Sequence, residues 1–255
     1  MRLCALPLVA VAPVLAACGG GATTLSQMSG ADQAASLQRV AEAANRDGDV
    51  VNAAALYRDA ASSQPRSIEP RLGLGRALLR LGNAEEARGA FVAGRGINPR
   101  DPRPLVGAAQ ADLVEQRFEA ALAGFTEALA LDPAEIDALN GAGVALDQMG
   151  RHAEAQAKYN DALQQQPRNR AARNNLGLSL ALAGHAAEAV RVLTDLSQGT
   201  DATPRNRQNL AVALALDGRQ QEAAAMAARD EDPSQAQRDA AMLDQIRRGL
   251  GARPL

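Results

Sequence analysis

The sequence predicts an all-α solenoid, and three observations carry that prediction. Aromatic residues are nearly absent, one pattern recurs every 34 residues, and glycine in five units and proline in four recur at that spacing where helices must end. Hydrophobic residues make up 47% of the 255 residues but aromatic ones only 2%, with no Trp. A core must then be assembled from Ala, Leu and Val, which suits closely packed helices better than a sheet sandwich. The formal charge of -2 and the scatter of the cations, almost all of them Arg, speak against a nucleic-acid surface, which needs a basic stripe.

The chain opens with Met1-Arg2 and an apolar run from Leu3 to Ala17, too short for a confident membrane span and patterned as a secretory signal over residues 1–17. The run closes in Leu15-Ala16-Ala17-Cys18, which resembles the bacterial lipobox: a branched apolar residue, two small ones, then the Cys that receives lipid. The resemblance implies cleavage before Cys18 and a covalent lipid on its thiol, with no other cofactor. Two or more acyl chains, at about 0.8 kcal/mol per buried CH₂, hold a protein stably at a membrane. By the same resemblance, Gly19 in place of Asp favours the outer membrane of a Gram-negative bacterium. Cys4 falls in the discarded segment, so the mature chain has no pair of thiols for a disulfide or a Cys metal site. Residues 18–33, rich in Gly, Ser and Thr, read as a flexible tether reaching at most about 50 Å.

From residue 34 the period takes over, with units at 34–67, 68–101, 102–135, 136–169, 170–203 and 204–237. Ala53, Ala87, Ala121, Ala155, Ala189 and Ala223 mark each second helix, and Ala41, Gly75, Ala109, Gly143, Gly177 and Ala211 lie twelve residues earlier in the first. These small residues let the paired helices approach closely. Gly48, Gly82, Gly150, Gly184 and Gly218 end the first helix with a residue that tolerates the left-handed cap, Gln116 being the exception. Large residues follow in the second helix at Tyr57, Phe91, Phe125, Tyr159 and Leu193, and Pro65, Pro99, Pro133 and Pro167 stop it.

These registers resemble the tetratricopeptide repeat over about four fifths of the chain. The resemblance implies a right-handed superhelical solenoid of about six repeats. The usual early Trp is replaced by Leu37, Leu105 and Leu139 or by Arg71, Arg173 and Arg207, so lighter packing is expected there. The fifth unit ends in Ser197-Gln198-Gly199-Thr200-Asp201 without a Pro, and the sixth has Ala227 in place of an aromatic, so the last interface is expected to be weak. Residues 238–255, continuing an apolar face of Ala236, Ala240, Leu243, Ile246 and Leu250, read as a capping helix and tail.

No residue pattern supports catalysis or a metal. His152 and His185 stand near a glycine at the start of a second helix, where solvent is expected, and lack the further ligands a metal requires. There is no Cys nucleophile, Gly-rich phosphate loop or nucleophile elbow, so the chain reads as a non-enzyme. In the family it resembles, first helices line a concave groove that accepts a segment of a partner protein, often through Asn side chains. Here that implies Asn140, Asn174, Asn175 and Asn209, with Arg205 nearby. An amide serves a partner's backbone in either orientation, though Asn near a helix start also serves local hydrogen bonding. Val106, Val144, Leu178 and Val212 offer an apolar stripe beside them or a share of the core.

The run Arg205-Asn206-Arg207-Gln208-Asn209-Leu210-Ala211-Val212-Ala213-Leu214, after Asn174-Asn175-Leu176-Gly177, resembles the R-Q-N-L-A-L phrase of the Flp/Tad (tight adherence) pilus assembly lipoproteins. That likeness implies a pilotin-like role whose partner is a secretin or another pilus or secretion component. Accessory lipoproteins of a type IV pilus or of β-barrel assembly, and a regulator of a cell-wall enzyme, stay open as alternatives.

Overall fold

The computed structural model describes residues 30–229, in which every regular element is a helix. Twelve helices follow one another in pairs. They are α1 (Gly30–Arg46) with α2 (Val50–Ser63), α3 (Glu69–Arg80) with α4 (Ala84–Ile97), and α5 (Arg103–Val114) with α6 (Phe118–Leu131). The second half repeats the scheme with α7 (Ile136–Gln148) and α8 (His152–Gln165), α9 (Arg170–Leu182) and α10 (Ala186–Gln198), and α11 (Pro204–Leu216) and α12 (Gln220–Ala227). The expected signal, residues 18–29 of the expected tether and the expected capping helix lie outside the described residues; residues 30–33, expected at the end of the tether, instead open α1.

Sequence punctuation sets these boundaries. Gly48, Gly82, Gly150, Gly184 and Gly218 all take positive φ, between 73° and 89°, immediately after their first helices. Gln116 does the same job with φ 57°, a conformation that costs an L-residue about 1 kcal/mol or more. Pro65, Pro99, Pro133 and Pro167 each follow the cap residue of a second helix, where a proline's demand for extended geometry in its predecessor stops the helix.

Packing follows the small-residue registers. All six alanines of the second-helix register are buried, and so are Ala41, Ala109 and Ala211 of the first-helix register. At Gly75, Gly143 and Gly177 an added Cβ would fall within 2.5 Å of Phe91, Tyr159 or Leu193. A further glycine register, two residues earlier, does the complementary job. A Cβ at Gly73, Gly107 or Gly141 would collide at 2.3 Å with Tyr57, Phe91 or Phe125, the ring of the preceding unit. Phe91 is thus clasped between bare backbone of its own unit and of the next, while Tyr57, Phe125 and Tyr159 each meet bare backbone on one side.

Successive first helices touch one another, α1 to α3 and so on to α9 with α11, while successive second helices share no comparable contact. The first helices therefore line the inner, concave side. Where Arg replaces the early Trp, the side chain ties down a loop: Arg71 donates to the Ser67 carbonyl at 2.8 Å, and Arg207 to the Ala202 carbonyl at 3.2 Å.

The fifth-to-sixth junction differs from the weak interface expected of it. α9 and α11 make the most extensive contact of any pair of successive first helices. Arg170 donates to the carbonyls of Leu196 and Asp201 and pairs with the Asp201 carboxylate at 3.1 Å, while buried Ser197 donates to the carbonyls of Leu193 and Asn206. Thr203 and Asn206 form a reciprocal capping box on α11. The loop without proline is held by polar ties instead of by an aromatic.

Candidate functional site: the concave groove

Two stretches of the concave side differ in chemistry. Over units two to four a cavity of about 230 Å³ opens between α3, α5 and the start of α7. Leu72, Val106 and Gly107 line it together with the ring of Phe91, and Arg76, Gln110, Arg103, Glu135 and Asp137 stand around it. Arg103 is bound by Asp101 and Glu69, whose oxygens lie 2.7 and 2.8 Å away. Glu135 caps α7, and burial first, then the fields of Asp137, Asp132 and Asp101, push its carboxyl above the usual range.

Over units four to six a row of amides runs from the groove into the contact between α9 and α11. Asn175 donates to Asn140 at 3.0 Å, Asn174 to Asn175 at 3.5 Å, and Asn206 to Asn174 at 2.9 Å. The Asn206 oxygen in turn accepts from the Thr203 backbone N–H at 3.1 Å and its hydroxyl at 2.9 Å. Three repeats are thus linked by one row of side chains.

The candidate asparagines do not share one environment. Asn140 and Asn175 are half-buried and paired, but Asn174 is only 4% exposed and spans between helices, which corrects its expected place on the open groove. The close approach of α11 to α9 covers it. Asn209 is 9% exposed, and its Nδ2 has no hydrogen-bond partner among the described residues. It occupies the same repeat position as Gly107, a residue of the groove lining. The ring that fills this level in earlier units is Leu193 in the fifth, a shorter side chain that leaves room for the amide. Arg205 is exposed and lies close enough to Tyr159 to counter part of the rise in that phenol's pKa. Val106 is buried at the cavity wall, whereas Val144, Leu178 and Val212 are half-buried.

One polar cluster escaped the residue-by-residue reading. Asp147 accepts from the Tyr159 hydroxyl at 2.9 Å, from Ser179 at 2.7 Å and from His152 Nδ1 at 2.9 Å. His152 is therefore a half-buried partner of a carboxylate, not the solvent-facing residue expected. Burial, then the Asp147 charge and hydrogen bond, raise the Tyr159 hydroxyl far above an ordinary phenol, so it stays a donor. The signal was present in the registers: Asp147 stands where other units carry Asn45, Leu79, Leu113, Ala181 and Ala215, and Ser179 where they carry Ala43, Ala77, Ala111, Ala145 and Ala213. No group of three or more His, Cys, Asp or Glu suited to a metal occurs among the described residues.

The tetratricopeptide repeat matches residues 44–113 and again 141–201, together just over half of the chain. This is a tetratricopeptide-repeat protein. Its fold is shared with solved tetratricopeptide structures. One is a thermophilic protein of Thermus thermophilus, with a TM-score of 0.64 and 19% identity over 71% of this chain and 98% of that one. Another is pilF of Pseudomonas aeruginosa, with a TM-score of 0.62 and 17% identity over 78% and 90%. A third is a tetratricopeptide repeat protein of Parabacteroides merdae, with a TM-score of 0.62 and 17% identity over 86% and 94%. At such identities the likeness concerns the fold. No curated protein matches the chain. Tetratricopeptide solenoids are scaffolds for binding other proteins, and the groove described above is where such a scaffold offers its most concave surface.

Proposed function

We propose that the chain is a lipid-anchored, non-enzymatic adaptor that holds an extended segment of another envelope protein in its concave groove, and that this partner is the secretin of a Flp/Tad-type pilus. The observation that carries the reading is Asn209, a buried amide donor with no partner among the described residues, at a groove-lining position by register. An orphaned donor costs a folded protein about 1–3 kcal/mol, a cost that a partner's carbonyl removes once the Asn209 side chain turns its amide outward on docking. The lipobox-like Leu15-Ala16-Ala17-Cys18 and the Arg205–Leu214 phrase support the anchor, the outer membrane and the pilus.

Two variants and a deletion strain test the proposal. Asn209→Ala should leave the fold as stable as the wild type or more so, yet weaken partner capture roughly tenfold, since 1.4 kcal/mol is a factor of ten. A photo-crosslinking residue at Leu178 should trap secretin in the wild type and less of it in the variant. Cys18→Ser should abolish labelling by a palmitate analogue and lower secretin multimers in outer-membrane fractions. Normal multimers in a strain lacking the protein altogether would sink the secretin assignment, and equal crosslinking in the variant would move the contact away from Asn209.

A further inference from the structure

The row of asparagines has a direction, and its direction is imposed from outside the groove. A backbone N–H is always a donor, so the Thr203 N–H forces the oxygen of Asn206, not its nitrogen, to face the cap. Arg170, also only a donor, reaches the same oxygen at 3.4 Å. The Asn206 Nδ2 must then face Asn174, which answers with Oδ1 at 2.9 Å. Asn174 in turn points its nitrogen at Asn175, and Asn175 points its nitrogen at the Asn140 oxygen. Each amide is left one orientation, and the last in the row, Asn140, turns its Nδ2 away from the chain of bonds. That nitrogen makes no hydrogen bond among the described residues. Asn140 holds the repeat position of Leu72 and Val106, both of which line the groove.

We infer that Thr203 and Asn206, which lie off the groove, are positioning residues that make its fourth-to-sixth-unit stretch a donor surface: it reads the carbonyl edge of an extended partner chain and not its N–H groups. The inference rests on the groove being the binding face and says which edge of the partner it reads. Asn140 supplies one donor, and Asn209, whose Nδ2 is buried, adds a second when its side chain turns toward the groove. The ligand at Asn140 is a neutral carbonyl and not a carboxylate, because Asp137 lies one helical turn away on α7 and Glu135 caps the same helix. Their charges repel an anion there.

Side-chain amide NMR on the full chain tests this without a known partner. The probes are N,N-dimethylacetamide, which carries a carbonyl and no N–H, N-methylacetamide, which carries both, and acetate. The Nδ2 protons of Asn174, Asn175 and Asn206 should exchange slowly and those of Asn140 fast. The Asn140 signal should shift with the two amides alike and little with acetate. In Asn206→Asp the carboxylate still caps Thr203 but presents only an acceptor to Asn174, so the row must reverse. Asn140 should then become protected and stop responding to N,N-dimethylacetamide, while helix content is unchanged. Rapid exchange at Asn174 and Asn206 in the wild type, a response only to N-methylacetamide or chiefly to acetate, or an unaltered Asn140 in a folded Asn206→Asp would each overturn the inference. Crosslinking at Leu178 is independent of amide direction, so a secretin adduct alongside a failed NMR test would leave the groove reading standing and remove only the donor rule.

Discussion

Removing the Asp147 carboxylate should cost more than any single truncation on the surface of this solenoid, and restoring the apolar pattern around it should recover most of the loss. In Asp147→Ala three donors lose their acceptor. Ser179 is fully buried, but its hydroxyl can turn back to a carbonyl of its own helix. The Tyr159 hydroxyl, at the end of a ring clasped against Gly143, has no such freedom, and a stranded donor costs about 1–3 kcal/mol. Bonds to a charged acceptor contribute about 1.5–3 kcal/mol each, offset in part by no longer burying a charge. A net loss of about 3 kcal/mol follows, which corresponds to about 6–12 °C in the melting temperature of a domain this size. The triple variant Asp147→Leu, Tyr159→Phe, Ser179→Ala returns each position to residues that other units carry and strands nothing, so it should lie within about 1 kcal/mol of the wild type. Denaturant melts give the energies, and hydrogen exchange should place the loss of protection in α7 to α9. A triple variant as unstable as Asp147→Ala would refute the reasoning, because the carboxylate would then be contributing something other than satisfaction of these three donors.

Gly141→Ala puts a methyl about 2.3 Å from the Phe125 ring and should cost about 1–3 kcal/mol, whereas Gly89→Ala on exposed α4, with nothing nearby, should add about 0.5–1 kcal/mol; thermal melts compare the two. Glu135, raised by burial, binds its proton more readily folded than unfolded, so its ionisation opposes the fold above the raised folded value and the penalty is absent below the ordinary 4.5. Glu135→Gln should therefore be slightly more stable at neutral pH, by less than about 0.5 kcal/mol given how much solvent reaches the group, and the advantage should vanish as pH falls through that range.

The fold was legible because each of its requirements repeats. A positive φ after each first helix, a stop after each second helix and a bare surface for each ring recur at 34-residue spacing, so Gly82 or Pro99 could be checked against its counterparts. Even Gln116 was visible as an exception, and the structure shows it taking the strained conformation itself. The groove was legible only in part. Asn140, Asn175 and Asn209 stand at lining positions by register, but the register does not report how closely α11 approaches α9, and that distance decides that Asn174 is covered. The Asp147 cluster was missed for a related reason. Asp147 and Ser179 depart from largely apolar registers in different helices, Tyr159 adds a hydroxyl to the ring register, and one such feature alone looks like a solvated side chain. Reading all three features together would have shown that they fall at neighbouring levels of adjoining helices.

The contrast between the two halves of the solenoid has a mechanical consequence. Units two and three are joined by the Phe91 ring against bare glycine and by exposed ion pairs such as Glu69 with Arg103 and Arg95 with Glu127, which solvent screens. Units four to six are pinned by short, directional bonds through Asp147, Asn174, Arg170 and Asn206, which tolerate little rotation. A bending load should therefore concentrate its strain in the leading units, while the buried, hydrogen-bonded end should move as a stiffer block: a compliant arm in series with a rigid jaw that keeps its geometry.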